Sequence, residues 1–412
     1  MRIVILEPDG TGGMIHFAFM LADALARSGQ HVTLVTASDY ELRELPHHFR
    51  VLPELSLWPR MEVRESGAGP AIAWIGDRVY RGLIRRVWRA TRLFLEMWRV
   101  VDSVSTARPD VVLVRSFPLP GHGVLLRRLR KSRATIVEVC HEFERRDTIR
   151  PVIARLEEAM SGAGSRWIDA RVFLSPSVRD RYAELYPNYP TARMFVVPLG
   201  DGGLFRMLAD PGLNLRSRYE IHPSDRVALF FGNLRPTKGV EDLLHAFARA
   251  DRPPGSKLLI AGHPARDIDT DALLGLAAGL GIDDSVIWDL TYIPNRAVGP
   301  LLELSRFVAL PYRTATQSGP LHVAMTYGKP VIATRIGGIP DVVAEGSTGL
   351  LVDPGDIDAL ADAMARLLSD DDLIATMTAA TEALLSRHRW SEVAGGILGA
   401  VDSVSSEPSL RR

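Results

Sequence analysis

Leu310–Val352 reads LPYRTATQSGPLHVAMTYGKPVIATRIGGIPDVVAEGSTGLLV, and this stretch decides the fold. Phe307–Pro311 forms an apolar strand that ends in a polar loop. Ser318 and Gly319 then open a helix, with Ser318 able to cap it and Pro320 suited to its first turn. Gly328-Lys329-Pro330 closes the helix, Val331–Thr334 enters the next strand, and Gly337-Gly338 makes a second tight loop on the same edge. Strand, helix and strand in so short a span describe a parallel α/β unit. The N–H groups around Gly319 form an anion-receptive nest at a strand's C-terminal end, where ligands of open α/β sheets sit.

The alternation extends in both directions. Further strands are expected at Val227–Phe231, Lys257–Ala261, Val286–Trp288 and Gly349–Val352, with helical stretches between them. An earlier series comprises Ile3–Leu6, His31–Thr36, Val111–Val114, Thr135–Val139, Val172–Leu174 and Phe195–Val197. After the first of these, a helical pattern with Phe17, Leu21, Ala24 and Leu25 on one face runs to Arg27. Two successive series in 412 residues imply two doubly wound α/β domains. The turn-rich loop Pro198–Gly203 is their natural joint, and Ser403–Arg412 reads as a polar tail.

Lys plus Arg and Asp plus Glu both total 49, and the resulting zero net charge argues against a nucleic-acid partner. The charge is unevenly spread, because Ala71–Arg133 holds fourteen basic residues against four acidic ones. Within residues 74–99, Arg81, Arg85, Arg89 and Arg92 share one helical face, and Trp74, Trp88 and Trp98 stand among the apolar residues. A basic amphipathic helix of this kind suits an anionic membrane surface. It suits equally a helix that covers a sheet and keeps its arginines in water. The single cysteine, Cys140, excludes an internal disulfide or a cysteine-cluster metal site and fits a reducing cytosol. The N-terminal apolar run is too short for a signal peptide, and no run of about 18 apolar residues could span a bilayer. A cytoplasmic protein, soluble or peripheral at the inner membrane face, is the expectation.

Three further features could carry chemistry. Gly12-Gly13 lies between strand and helix, where glycines admit close approach of a ligand or merely allow packing. In FFGNLRPTKGV (Phe230–Val240), a strand ends at Gly232, Arg235 and Lys238 follow, and a helix begins near Gly239. The two cations and the helix dipole suit a phosphate pair, although two solvated surface cations would read the same way. His141 stands at a strand end, where a neutral hydrogen-bonded histidine is the ordinary occupant. Asp269-Thr270-Asp271 matches a Mn²⁺-binding D-x-D pattern but reads as an acidic helix start.

Together, the Gly12-Gly13 loop, Phe230–Val240 and Leu310–Val352 resemble the GT-B fold glycosyltransferases, specifically the large family 4 of retaining, nucleotide-sugar-dependent enzymes. The run KPVIATRIGGIPDVV followed by GSTGLLVDPGD is the most specific part, and the likeness is strongest from Pro198 to Val352. The resemblance implies two Rossmann-like domains facing each other across a cleft. Residues 1–198 would form the acceptor-side domain, 199–385 the nucleotide-sugar domain, and 386–412 a helix packing back on the first, followed by the tail. It implies that Arg235 and Lys238 hold the donor diphosphate and that Gly12 and Gly13 face it. His141 would touch the donor sugar, and Gly232, Ser318, Gly319, Gly337 and Gly338 would line the donor site. It further implies a glycan, glycolipid or lipid-linked acceptor and no metal or other cofactor. One departure is plain. Many members carry an E-x7-E pair, and alignment on Gly328-Lys329-Pro330-Val331 puts Ala315 and Val323 at those positions. The sequence instead resembles a subgroup with Ser318-Gly319 in that loop, so retention of configuration is less firmly implied. An epimerase-like or purely nucleotide-sugar-binding relative stays open beside a transferase.

Overall fold

The computed structural model of the chain describes residues 1–55, 91, 95–102, 104–105, 108–115, 122–141 and 166–406. Most of the basic segment 74–99, and with it the expected membrane contact, lies outside the described residues. So does the end of the expected polar tail, from 407 onward.

Two compact units divide the chain. Unit 1 comprises Met1–Leu174, Tyr182–Val197 and Trp390–Arg412; unit 2 comprises Ser175–Arg181 and Pro198–Arg389. Among the described residues, unit 1 is built on seven strands: β1 (Arg2–Leu6), β2 (His31–Ala37), β3 (Arg50–Leu55), β4 (Val111–Arg115), β5 (Thr135–Cys140), β6 (Ala170–Phe173) and β7 (Met194–Val196). They lie in the order β3-β2-β1-β4-β5-β6-β7, every neighbouring pair parallel. Unit 2 carries β8 (Arg226–Phe231), β9 (Ser256–Ala261), β10 (Val286–Asp289), β11 (Phe307–Leu310), β12 (Val331–Thr334) and β13 (Gly349–Val352). Their order is β10-β9-β8-β11-β12-β13, again parallel throughout. These are two doubly wound α/β domains, as the alternation of elements predicts.

Val227–Phe231 of β8 and all of β11 are continuous apolar runs, buried throughout, as expected of strands inside a parallel sheet. Five helices frame the sites or pack beside them: α1 (Gly13–Arg27), α2 (Val240–Arg249), α3 (Thr270–Gly279), α4 (Gly319–Thr326) and α5 (Trp390–Ser405). In α2, Val240, Leu243, Leu244 and Phe247 recur at helical spacing and are all buried, while its other face is polar. Each such side chain, fully buried, contributes roughly 1.5–3 kcal/mol. α4 is different, with every residue from Leu321 to Thr326 buried, as befits a helix sunk in a core. α5 packs within unit 1 on α1, where the Trp390 and Phe17 ring centroids are 5.5 Å apart.

β3 has no counterpart in the sequence reading. Its run RVLPEL mixes charges with a proline and lacks the apolar continuity of the other strands. Pro53 cannot donate to a ladder, which a strand tolerates at a sheet edge, and β3 is the edge strand. Asp269 caps α3, its carboxylate accepting the Ala272 N–H at 3.0 Å, so the D-x-D match is a helix start.

The strand orders locate the places where a ligand can enter. In each sheet the order reverses once, between β1 and β4 in unit 1 and between β8 and β11 in unit 2. Connections leave in opposite directions at that point, opening a crevice beyond the strands' C-terminal ends.

Candidate active site

Unit 2's reversal gathers most of the residues singled out in the sequence. β8 ends at Phe231 and is followed by Gly232, Arg235 opens a 3-10 turn over Pro236–Lys238, and Gly239 leads into α2. β11 leads into Pro311–Ser318. The two loops are fastened together. Arg313 donates its backbone N–H to the Thr237 carbonyl at 2.8 Å. Its guanidinium forks onto the Asp242 carboxylate at 2.9 and 2.7 Å, with Glu241 at 3.3 Å. Gly239 has φ +66 and lies so close to the Pro311 carbonyl that a Cβ would overlap that oxygen.

Lys238 lies inside this junction, its Nζ 3.6 Å from the centroid of the Tyr312 ring. Tyr312 is fully buried, and its hydroxyl shares a 3.2 Å hydrogen bond with Ser318 Oγ. Ser318 in turn caps α4 by accepting the Leu321 N–H at 3.2 Å. Its hydroxyl is therefore spent inside the fold, and what α4 offers a ligand is the exposed backbone around Gly319. After β12, the Gly338 N–H donates to Thr316 at 2.9 Å, and Gly337 lies against Ala315. Gly232 lies against Pro320. Gly232, Lys238, Ser318, Gly319, Gly337 and Gly338 thus meet at one sheet edge, with Arg235 at the mouth of the same loop.

One electrostatic expectation needs correction. The sequence places the dipole of the helix after Lys238 behind the two cations. In α2, however, Glu241 and Asp242 occupy the first turn and are paired with Arg313, so that helix end is already compensated. The first turn of α4 holds no acid, and its N-terminus is the one left to meet an anion.

Gly12, Gly13 and His141 belong to unit 1, at its own reversal. Side chains at Gly12 or Gly13 would meet open space, so these glycines serve neither close packing nor a tight crossing. Gly12 donates its N–H to Glu41 at 2.6 Å, and Glu41 also meets His16 Nε2 at 2.7 Å. The start of α1 is therefore served by the protein's own carboxylate.

At the C-terminal ends of β1 and β4, Glu7 and Arg115 face each other at 3.6 Å. Arg115 also pairs with Asp9 at 2.7 Å, while the Asp9 N–H donates to Glu7. Glu7 and Arg115 line a small cavity at the strand ends together with Phe17 and His141. Burial, and then the Arg115 charge, push His141 down to about 3, so its imidazole is neutral; it stands edge-on to Phe17.

Burial pushes the Glu7 carboxyl up to about 7, against the pull of Arg115. The raised value means the fold favours protonated Glu7. That stabilisation is complete below pH 4.5, the ordinary glutamate value, and is lost as pH rises through about 7. Glu7→Gln mimics the protonated form. Its stability advantage over the parent is expected to grow from near zero at acid pH to roughly 3 kcal/mol above neutrality. Urea unfolding of both proteins across that range checks this, and an advantage independent of pH would remove the assignment.

Glu7, Arg115, Tyr312 and the Arg313–Asp242 pair escaped the sequence reading. Glu7, Arg115, Tyr312 and Arg313 lie at, or directly after, a strand flanking an order reversal, and that placement is the signal which could have found them; Asp242 stands in the first turn of α2.

Comparison with known proteins follows the same division. A family model described as "Glycosyl transferase 4-like domain" matches residues 12–200, and one described as "Glycosyl transferases group 1" matches residues 225–370. A D-inositol 3-phosphate glycosyltransferase of Acidothermus cellulolyticus is 32% identical over 251 residues, which cover 58% of this chain and 52% of the relative. An N-acetyl-alpha-D-glucosaminyl L-malate synthase of Bacillus anthracis is 34% identical over 159 residues, 39% of this chain and 40% of the relative. The chain thus spans about half the length of the curated relatives it matches. Among solved structures, Anabaena Alr3699/HepE in complex with UDP matches with a TM-score of 0.71 at 18% identity, over 98% of this chain and 100% of that one. Sucrose-phosphate synthase from Thermosynechococcus elongatus matches with a TM-score of 0.69 at 19% identity, over 97% of each chain. Two adjoining family models and two parallel-sheet domains agree: the chain belongs to the family 4-like glycosyltransferases of the GT-B fold.

Proposed function

We propose that the protein moves a sugar from a nucleotide-sugar donor to a glycan, glycolipid or lipid-linked acceptor. One observation carries the reading: Arg235, Lys238 and the acid-free start of α4 converge at unit 2's order reversal. Two cations and the positive end of a helix suit a diphosphate, the group that departs from a nucleotide sugar and gains charge as it leaves. Solved neighbours described with UDP, UDP-glucose and glucose-6-phosphate support ligands of the same classes.

In this reading transfer retains configuration and needs no metal, since Arg235, Lys238 and the helix end meet the developing charge. The acceptor oxygen bonds to the anomeric carbon on the face from which the diphosphate departs. As the sugar–phosphate bond breaks, a donor phosphate oxygen takes the acceptor's proton. Neutral His141 touches the donor sugar, and Gly12 and Gly13 face the donor. Ala315 and Val323, replacing the E-x7-E glutamates, leave sugar-hydroxyl recognition to other groups.

No described helix is long and apolar enough to cross a membrane. Within the proposal the protein is cytoplasmic and works at the inner membrane face, held there by the basic segment 74–99. Liposome flotation with and without anionic lipid tests that contact, and indifference to lipid charge removes it.

Incubation with UDP-, GDP- and ADP-sugars, following nucleotide release with and without EDTA, tests the activity itself. Release from one donor class, undiminished by EDTA, is the expected result. The missing glutamates favour one rival, a protein that binds nucleotide sugars without transferring them, and binding with no release would establish it.

A further inference from the structure

Lysine is a flexible point charge, and holding its ammonium in one place costs side-chain entropy. At unit 2's order reversal that entropy is offset by an aromatic seat. Lys238 Nζ lies 3.6 Å from the Tyr312 ring centroid, within cation–π range. The ring itself is immobile. It is buried, its hydroxyl is bonded to Ser318, and its backbone carbonyl accepts the Thr334 hydroxyl at 2.7 Å. The next residue, Arg313, clamps the loop to Asp242. Burial also pushes the phenol up to about 12, so it stays neutral and adds no counter-charge to the ammonium.

We propose that Tyr312 is a positioning residue for the diphosphate site, its ring seating the Lys238 ammonium and its hydroxyl tying that seat to the Ser318 cap of α4. The inference rests on the donor reading above and goes beyond it. One side chain sets the distance between the site's mobile cation and its fixed helix end, so that both meet one ligand. Tyr312 touches neither donor nor acceptor, and acts only through Lys238 and Ser318.

The ring and the hydroxyl can be tested separately. Tyr312→Phe keeps the face that seats Lys238 but cuts the tie to Ser318; it should bind UDP, GDP or ADP about 2- to 5-fold more weakly than the parent, and unchanged affinity would remove the hydroxyl from the proposal. Tyr312→Met fills a similar volume without a ring and should weaken that binding by about 3- to 30-fold, lowering kcat more than it raises KM. In the Tyr312→Met background, Lys238→Ala should cost less than it does in the parent, because the pair acts as a unit. Phenylalanines carrying one, two and three ring fluorines at position 312 preserve shape while draining charge from the ring face. Affinity should then fall stepwise, which a merely structural role would not produce.

Equal affinity across the fluorinated series, or additive losses in the Tyr312/Lys238 cycle, would overturn the proposal. The same cycle read by urea unfolding needs no ligand. A parent that binds none of the three nucleotides would therefore sink the donor reading, while the coupling of Tyr312 to Lys238 would still be decided.

Discussion

Lys238→Ala is expected to lower turnover by about 100- to 1,000-fold, the range seen when one preorganised charge partner of a developing anion is removed. The ammonium is seated at the order reversal of unit 2, beside the acid-free start of α4. The charge it would meet grows as the sugar–phosphate bond breaks, so its loss falls on kcat more than on KM. The fold should hardly notice. Lys238 is only partly buried, and its contact with the Tyr312 ring, one of its interactions, is worth about 1 kcal/mol or less at such a site. Steady-state kinetics beside a thermal melt separate the two effects. Near-parental turnover would remove Lys238 from the donor site, and a collapsed melting temperature would make its role structural.

Gly239→Ala should do the reverse, damaging fold and site together. At φ +66 an alanine is strained by roughly 1–2 kcal/mol. Here the added Cβ would also overlap the Pro311 carbonyl oxygen, and backbone cannot swing aside as a side-chain tip can. The loop carrying Arg235 and Lys238 would have to part from the loop carrying Tyr312 and Arg313. The expected cost is about 3–4 kcal/mol, with affinity for a nucleoside diphosphate falling as well. Gly281 supplies the control, since it has φ +68 but open space where its Cβ would lie. Gly281→Ala should cost only the conformational part and leave binding unchanged. Equal losses at the two positions would mean that the contact between the loops is unimportant.

The elements legible in the sequence are those with local signals. Every strand except β3 announces itself as an apolar run, and Ser318 with Pro320 marks the start of α4 through capping and first-turn chemistry alone. Arg235 and Lys238 are legible because both follow a strand end within seven residues of it. The hidden part depends on sheet order. Nothing in Glu7 or Arg115 says that β1 and β4 are neighbours, yet that pairing makes one a buried acid and the other its counter-ion. Asp242 and Arg313 lie 71 residues apart and meet only because β8 lies beside β11. Arg171 is hidden for a related reason. A charge inside a buried strand looks wrong until Glu138 on the neighbouring strand is found to pair with it at 2.6 Å. Tyr312 resembles any strand-end aromatic until the neighbouring strand's loop sets a lysine over its ring.

Everything proposed for the donor depends on one claim, that the order reversal of unit 2 is a diphosphate site built from Arg235, Lys238 and the start of α4. Isothermal titration of the intact protein with UDP, GDP and ADP in EDTA tests it most directly. One nucleotide should bind with one-to-one stoichiometry, and Lys238→Ala and Arg235→Ala should each weaken it at least about 10-fold while still folding. Binding that both variants retain at full strength, or no binding of any of the three by the parent, would contradict the claim.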